Sequence, residues 1–186
     1  MTIRKLRTID LIIFFVIGAA LDIVLGLYGL FGIKSYLSVS IPLILLAYIR
    51  WGKYALFSNL GIAIVHLFLY DVDFAVGMAH AIAMLSLAVA LLILKMKSMQ
   101  QTRIAFQYVV LYYTLAYVTM FFVEWILLIV FKHEVLLASQ ALNHFFNFIL
   151  GLGLLAIIAM QKELLVRMDP YLREKSEENH KHEQGN

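Results

Sequence analysis

Residues 38–70 read SVSIPLILLAYIRWGKYALFSNLGIAIVHLFLY, two apolar blocks on either side of the basic, glycine-bearing stretch Arg50-Trp51-Gly52-Lys53. Apolar blocks separated by short charged connectors are the pattern of a membrane bundle, because roughly 20 helical residues cross a ~30 Å hydrocarbon core. Gly52 with Lys53 predicts a tight turn, and the two blocks predict helices at about 36–51 and 54–70. The first of these is irregular. Pro42 has no N–H, so the bond to the Ser38 carbonyl is lost and the helix kinks or restarts there. The Ser38 and Ser40 hydroxyls are placed to re-satisfy the freed groups.

The same pattern repeats outward from this pair. Blocks at about 9–31, 74–95, 104–131 and 135–163 complete six transmembrane helices, an all-α bundle over residues 1–165. Composition agrees: 63% of the 186 residues are hydrophobic and 15% charged, against nearer half and a quarter in soluble domains. The first block follows Arg4, Lys5 and Arg7 and runs to Phe31 with no small-residue cleavage site, so it reads as a retained helix and not a signal peptide. After Leu165 the composition changes. Asp169-Pro170 is expected to stop the last helix, and residues 166–186 to form a disordered polar tail with His180 and His182 in solvent.

Lysine and arginine set the orientation. With the N-terminus inside, 13 of the 15 fall in inner segments, and only Lys34 and Lys132 fall outside. That is a positive-inside pattern, so a multi-pass protein of the cell membrane with both termini cytoplasmic is expected. The formal charge of +3 then reports topology and not nucleic-acid binding. The chain has no cysteine, which excludes disulfides, thiolate nucleophiles and iron–sulfur clusters.

An ionised side chain at mid-depth costs about 2.5–3.5 kcal/mol by insertion scales, so such residues face the bundle interior. On the six-helix topology they gather in the outer half. Asp22 lies just past the middle of the first helix, His66 near the outer end of the third, and His80 and Glu124 two turns down the fourth and fifth. Gln140, Asn143, His144, Asn147 and Gly151 follow one stripe of the sixth. Tyr113, Tyr117, Met120 and Glu124 form a second stripe, Asp73, Gly77, His80 and Met84 a third, and Gly18, Asp22, Gly26 and Gly29 a fourth. A cavity open to the outside is expected, with His80, Glu124 and Asn147 binding substrate. Asn143, His144, Tyr117 and Trp125 would add polar and aromatic surface. Residues Lys34 to Ser38 and Asp71 to Asp73 would act as a lid. Plainer readings stay open: Asp22 could bond a neighbouring helix, His66 could sit among headgroups, the tyrosines could be core, and the glycines could serve helix packing.

No G-x-x-x-x-G-K-[ST] loop, H-E-x-x-H or G-x-S-x-G elbow occurs, so no enzymatic activity and no cofactor are expected. The alternative is an intramembrane metal- or haem-binding enzyme or redox protein using His66, His80 and His144. No two of these share an i, i+4 spacing, so that site would need assembly by tertiary contacts.

The stretch 38–70, followed by FAVGMAHAIAMLSLAVALLI at 74–93, resembles the S component of energy-coupling factor (ECF) vitamin transporters. The shared pattern is an Ile-Pro before a short apolar helix, a basic-Gly turn, a Gly-containing third helix and a small-residue fourth, and the likeness covers about residues 8–165. It implies six helices, cytoplasmic termini and an external pocket for a small vitamin-like solute. It also implies a membrane coupling subunit and two ATPase subunits as partners. The chain looks closest to the thiamine-type branch, which offers a carboxylate where this chain has His80 in MAHAIAML. That branch offers a His where this chain has Glu124 in FFVEWILL, and an Asn matching Asn147 in HFFNFILG. The acid-to-His exchange argues against thiamine itself, whose cationic ring wants a nearby anion. The family often carries an A-x-x-x-A docking face on its first helix. Here Gly18, Ala19 and Asp22 stand there, extended by Gly26, and Asp22 departs from the family's pattern.

Overall fold

The computed structural model describes residues 2–28, 37–69, 74–131, 137–161 and 164–184. Its elements are α1 (Ile3–Tyr28), α2 (Ser40–Trp51), a 3-10 turn (Gly52–Ala55), α3 (Leu56–Leu69), α4 (Phe74–Ser86), a second 3-10 turn (Leu87–Val89), α5 (Ala90–Ile93), a third (Lys97–Met99), α6 (Phe106–Val130), α7 (Leu137–Ala159) and α8 (Met168–Gln184). Among the described residues there is no strand, only an isolated bridge between Arg103 and Val166.

Among the described residues five stretches are long and apolar enough to cross a membrane: Ile3–Gly26, Ser40–Leu69, Phe74–Ile93, Phe106–Val130 and Gln140–Ala159. The second is folded back on itself. Ser40 Oγ lies 3.5 Å from His66 Nε2, and Asn59 Nδ2 donates to Tyr48 Oη at 2.9 Å. The start of α2 therefore sits beside the far end of α3, and the two run antiparallel. Gly52 makes the reversal at φ 55°, ψ −133°, a conformation open to glycine and strained for other residues. No atom stands within 4 Å of a Cβ built there. Gly52→Ala should thus cost about 1–3 kcal/mol from backbone strain alone, read as a lowered unfolding midpoint.

α2 is the centre of the bundle. Its 12 residues rise only about 18 Å, and all but Arg50 are buried. A helix apolar on every face needs neighbours on every side, which α1, α3, α6 and α7 supply. Tyr112 on α6 donates to the Leu45 carbonyl at 3.0 Å, and Leu45, Leu46, Ile62, Met84 and Met120 fill the surrounding core. α1 runs antiparallel to α2, with Asp22 against Val39 and Ser40 at one end and Asp10 against Arg50 and Trp51 at the other. Gly18 permits this approach, since a Cβ there would meet Ser40 Cβ at 3.0 Å.

The outer surface is apolar. Ile12, Val16, Phe57, Phe68, Phe122, Ile126 and Phe145 are all exposed. A belt of that extent suits hydrocarbon and not water, so by composition and helix length this is a multi-pass membrane protein.

Two elements differ from the sequence expectation. The helix expected over 74–95 tightens to a 3-10 turn after Ser86, whose Oγ donates to the Ala83 carbonyl at 2.6 Å, and resumes as α5 to Ile93. Back-bonding of this kind bends helices. Where a disordered tail is expected, residues 168–184 form α8. Asp169 and Pro170 fall in its first turn, where proline lacks no needed donor and an acid complements the helix dipole. They start a helix here and do not end one. Met168 with Tyr171 and Leu172 packs on Trp51, Val166 and Leu6, and Thr102 Oγ1 donates to Glu174 at 2.7 Å.

α6 and α7 also approach closely. A Cβ at Gly151 would collide with Tyr113 Oη, so Gly151→Ala should destabilise by about 1–3 kcal/mol through overpacking. Adding Tyr113→Ala should relieve the collision, since the ring carbons as well as the hydroxyl of Tyr113 stand against that Cβ, so the double variant should lose less in thermal unfolding than the sum of the two single losses.

Candidate functional site: a buried histidine–carboxylate row

The site begins at the N-terminus of α2. Pro42 sits in the first turn of α2, and the helix starts at Ser40, not at 36, since residues 37–39 are not helical. Helix starts leave N–H groups without internal partners. Here Asp22 of α1 serves them: Oδ1 accepts from Val39 N at 2.6 Å and from Ser40 N at 3.2 Å, and Oδ2 from Ser38 Oγ at 2.9 Å. Ser38 N donates to Asn147 Oδ1 of α7 at 2.6 Å. A carboxylate on one helix thus caps another, 16 to 18 residues away.

From Asp22 a row of polar groups crosses the bundle. Asp22 Oδ2 lies 2.7 Å from His66 Nε2, His66 Nδ1 lies 3.1 Å from His80 Nε2, and His80 Nδ1 lies 2.8 Å from Glu124 Oε2. The two imidazoles are stacked, 8° from parallel. His144 Nε2 stands 3.6 Å from the same Glu124 oxygen. The Tyr117 hydroxyl lies 3.2 Å from His144 Nδ1 and donates to the His144 carbonyl at 3.0 Å. Four helices, α1, α3, α4 and α6, supply the row, and α7 closes it.

Each of the three contacts from Asp22 to Glu124 needs a proton. Two neutral imidazoles supply two, so a third must sit on a carboxyl or make one ring cationic. With all three bonds made, the four groups carry a net charge of −1. The bonds can point from α1 toward α6 or the reverse. Among the described residues, both carboxylates have imidazoles and no Lys or Arg as ion partners.

The expected residues are only partly brought together. His80, Glu124, His144 and Tyr117 meet directly, and Asn147 joins through Ser38, which donates its hydroxyl to Asp22. Asn143 lies one turn from Asn147 and accepts from its Nδ2 at 3.2 Å through the carbonyl. The Asn143 Oδ1 and Gln140 Nε2 atoms are buried with no hydrogen-bond partner among the described residues. Trp125 does not reach the row, since its ring contact is with Phe122 at 6.3 Å. His66 is buried at 1% exposure, not at the headgroups. The proposed docking face turns inward: Asp22 is 0% exposed, Ala19 is buried, and Gly18 abuts Ser40. Sequence spacing leaves Asp22 and His66 out of the substrate-binding set, because Asp22 shares its stripe only with glycines and His66, a ligand in the metal or haem alternative, has no polar neighbour one turn before it on its own helix face.

Lys34 to Tyr36 and Asp71 to Asp73, the greater part of the expected lid, lie outside the described residues, and so does Gly29. Among the described residues no three His, Asp or Glu side chains are grouped to hold a metal ion. Comparison with protein-family models, with curated proteins and with solved structures finds no match.

Proposed function

We propose that this chain is the membrane-embedded binding subunit of an ECF-type importer. It captures a small polar, vitamin-like solute, with transport powered by a coupling subunit and two partner ATPases. In this reading the chain crosses the membrane six times, with both termini in the cytoplasm, and the His80–Glu124–His144 cluster faces the outside.

One observation carries the reading. Gln140 Nε2 and Asn143 Oδ1 are buried without a partner among the described residues, on the same α7 stripe as His144 and Asn147. Buried polar atoms are rarely left unsatisfied, and each such atom calls for a ligand, a water or a functional reason. Beside them stands a charged row that a purely structural bundle has no need to build, since apolar packing of similar volume is as stable or more so.

The test is a thermal-unfolding screen of purified full-length protein against water-soluble vitamins and their precursors. A ligand at 100 times its Kd stabilises the folded state by about 2.7 kcal/mol. One clear hit, together with co-purification of ATPase subunits from the native membrane, is the expected result. A stoichiometric metal, or a haem absorption band lost in His80→Ala, would replace this reading with the intramembrane metalloprotein.

A further inference from the structure

At the opposite end of the bundle, where α1 begins, lies a cavity of about 360 Å³. It sits between the α2–α3 turn, the end of α5 and the start of α8. Tyr48 and Trp51 line it together with Lys53, Lys95, Arg167 and Asp169. Three separate segments thus each bring a cation to one hollow.

The charges there are unbalanced. Arg50, also in the lining, is engaged by Asp10 at 2.8 Å and by the Leu164 carbonyl at 3.3 Å. Lys53 and Lys95 are exposed and join no ion pair among the described residues, although Lys53 lies 5.7 Å from the Tyr54 ring centroid. Arg167 gives Nη1 to the Gln100 carbonyl at 2.9 Å, which leaves further guanidinium donors. Among the described residues Asp169 is the only acid in the lining. The 17-residue helix α8 starts at Met168, so its positive end lies at the same place. Basic residues that served topology alone would have no reason to converge on a cavity.

We infer that this cavity is a binding site for a phosphate-bearing anion. Lysine and arginine around a concave wall match the several acceptor oxygens and the charge of a phosphate. The volume is that of a small-ligand pocket. Trp51 and Tyr54 are residues of the kind that lie at headgroup level, so a phospholipid headgroup and a soluble phosphate ester are the two sources of this chemistry.

The experiment uses the full-length protein in uncharged detergent at constant ionic strength. One arm adds inorganic phosphate in place of chloride. The other adds phosphatidylglycerol, with a phosphate-free glycolipid as control. At least one arm should raise the unfolding midpoint by about 3 °C or more. Stabilisation by phosphate alone identifies a soluble ester, by the lipid alone a headgroup, and by both a site that reads the phosphate itself. The double variant Lys53→Gln/Lys95→Gln should abolish the shift, and Lys95→Gln alone should at least halve it if the double variant does not fold. The inference is overturned if neither arm stabilises the protein, or if the variants respond as the wild type does.

Discussion

Asp22→Ala should lose about 3–5 kcal/mol of stability, the cost of removing one partner from a buried charged pair. The loss is large because one side chain serves three elements. It caps the start of α2 through Val39 and Ser40, accepts from the Ser38 hydroxyl, and stands against His66. Alanine removes the acceptor of two backbone donors and the carboxylate that faces the His66 ring. Asp22→Asn keeps an oxygen for the backbone donors and gives up the charge, so it should recover a substantial part of the loss. Unfolding in bilayer-like micelles measures both. A midpoint for Asp22→Ala within the scatter of wild type would mean that α2 is held by its apolar contacts alone.

Glu124→Gln should weaken solute binding by roughly 10- to 100-fold, because a hydrogen bond to a charged group contributes about 1.5–3 kcal/mol. Glu124 carries the end of the row, with His80 at 2.8 Å and His144 at 3.6 Å on one oxygen. Glutamine preserves the shape and removes the charge that both rings face. Trp125→Phe is the control. It adjoins Glu124 in sequence yet packs on Phe122, so binding should change less than about twofold. The affinity of the solute found by screening, measured by calorimetry on both variants, decides the matter. Equal affinity in Glu124→Gln and wild type would remove the row from the binding site, and the proposed function with it.

Much of the architecture is written in local pattern. Gly52 and Lys53 mark the α2–α3 turn, Pro42 marks the start of α2, and the apolar blocks place α6 and α7 within four residues, while α1 starts at Ile3, six residues before the expected position 9. The site is less legible because periodicity gives the face of a helix and not its neighbour. Asp22 shares a face with Gly18, and that face meets α2 where an exposed docking surface was expected. His66 lies near the end of its helix, and only the antiparallel return of α3 brings it under Asp22. Trp125 follows Glu124 directly, and adjacent residues on a helix point about 100° apart, so its ring meets Phe122 while Glu124 meets His80. The helix at 168–184 was hidden for a different reason. Its polar composition reads as disorder, while three apolar residues at its start anchor it to Trp51 and Leu6.

The central position of α2 has a consequence for biogenesis. Its start is secured by Asp22, already synthesised, and the segment leading into it by Asn147, which follows Ser38 by 109 residues. A nascent chain therefore makes α2 long before the second anchor exists. During that interval an unfinished helix with a half-served start must shelter against α1 and α3 inside the translocation machinery or at its edge. Final locking of the innermost helix waits for the last long apolar segment to be released into the bilayer.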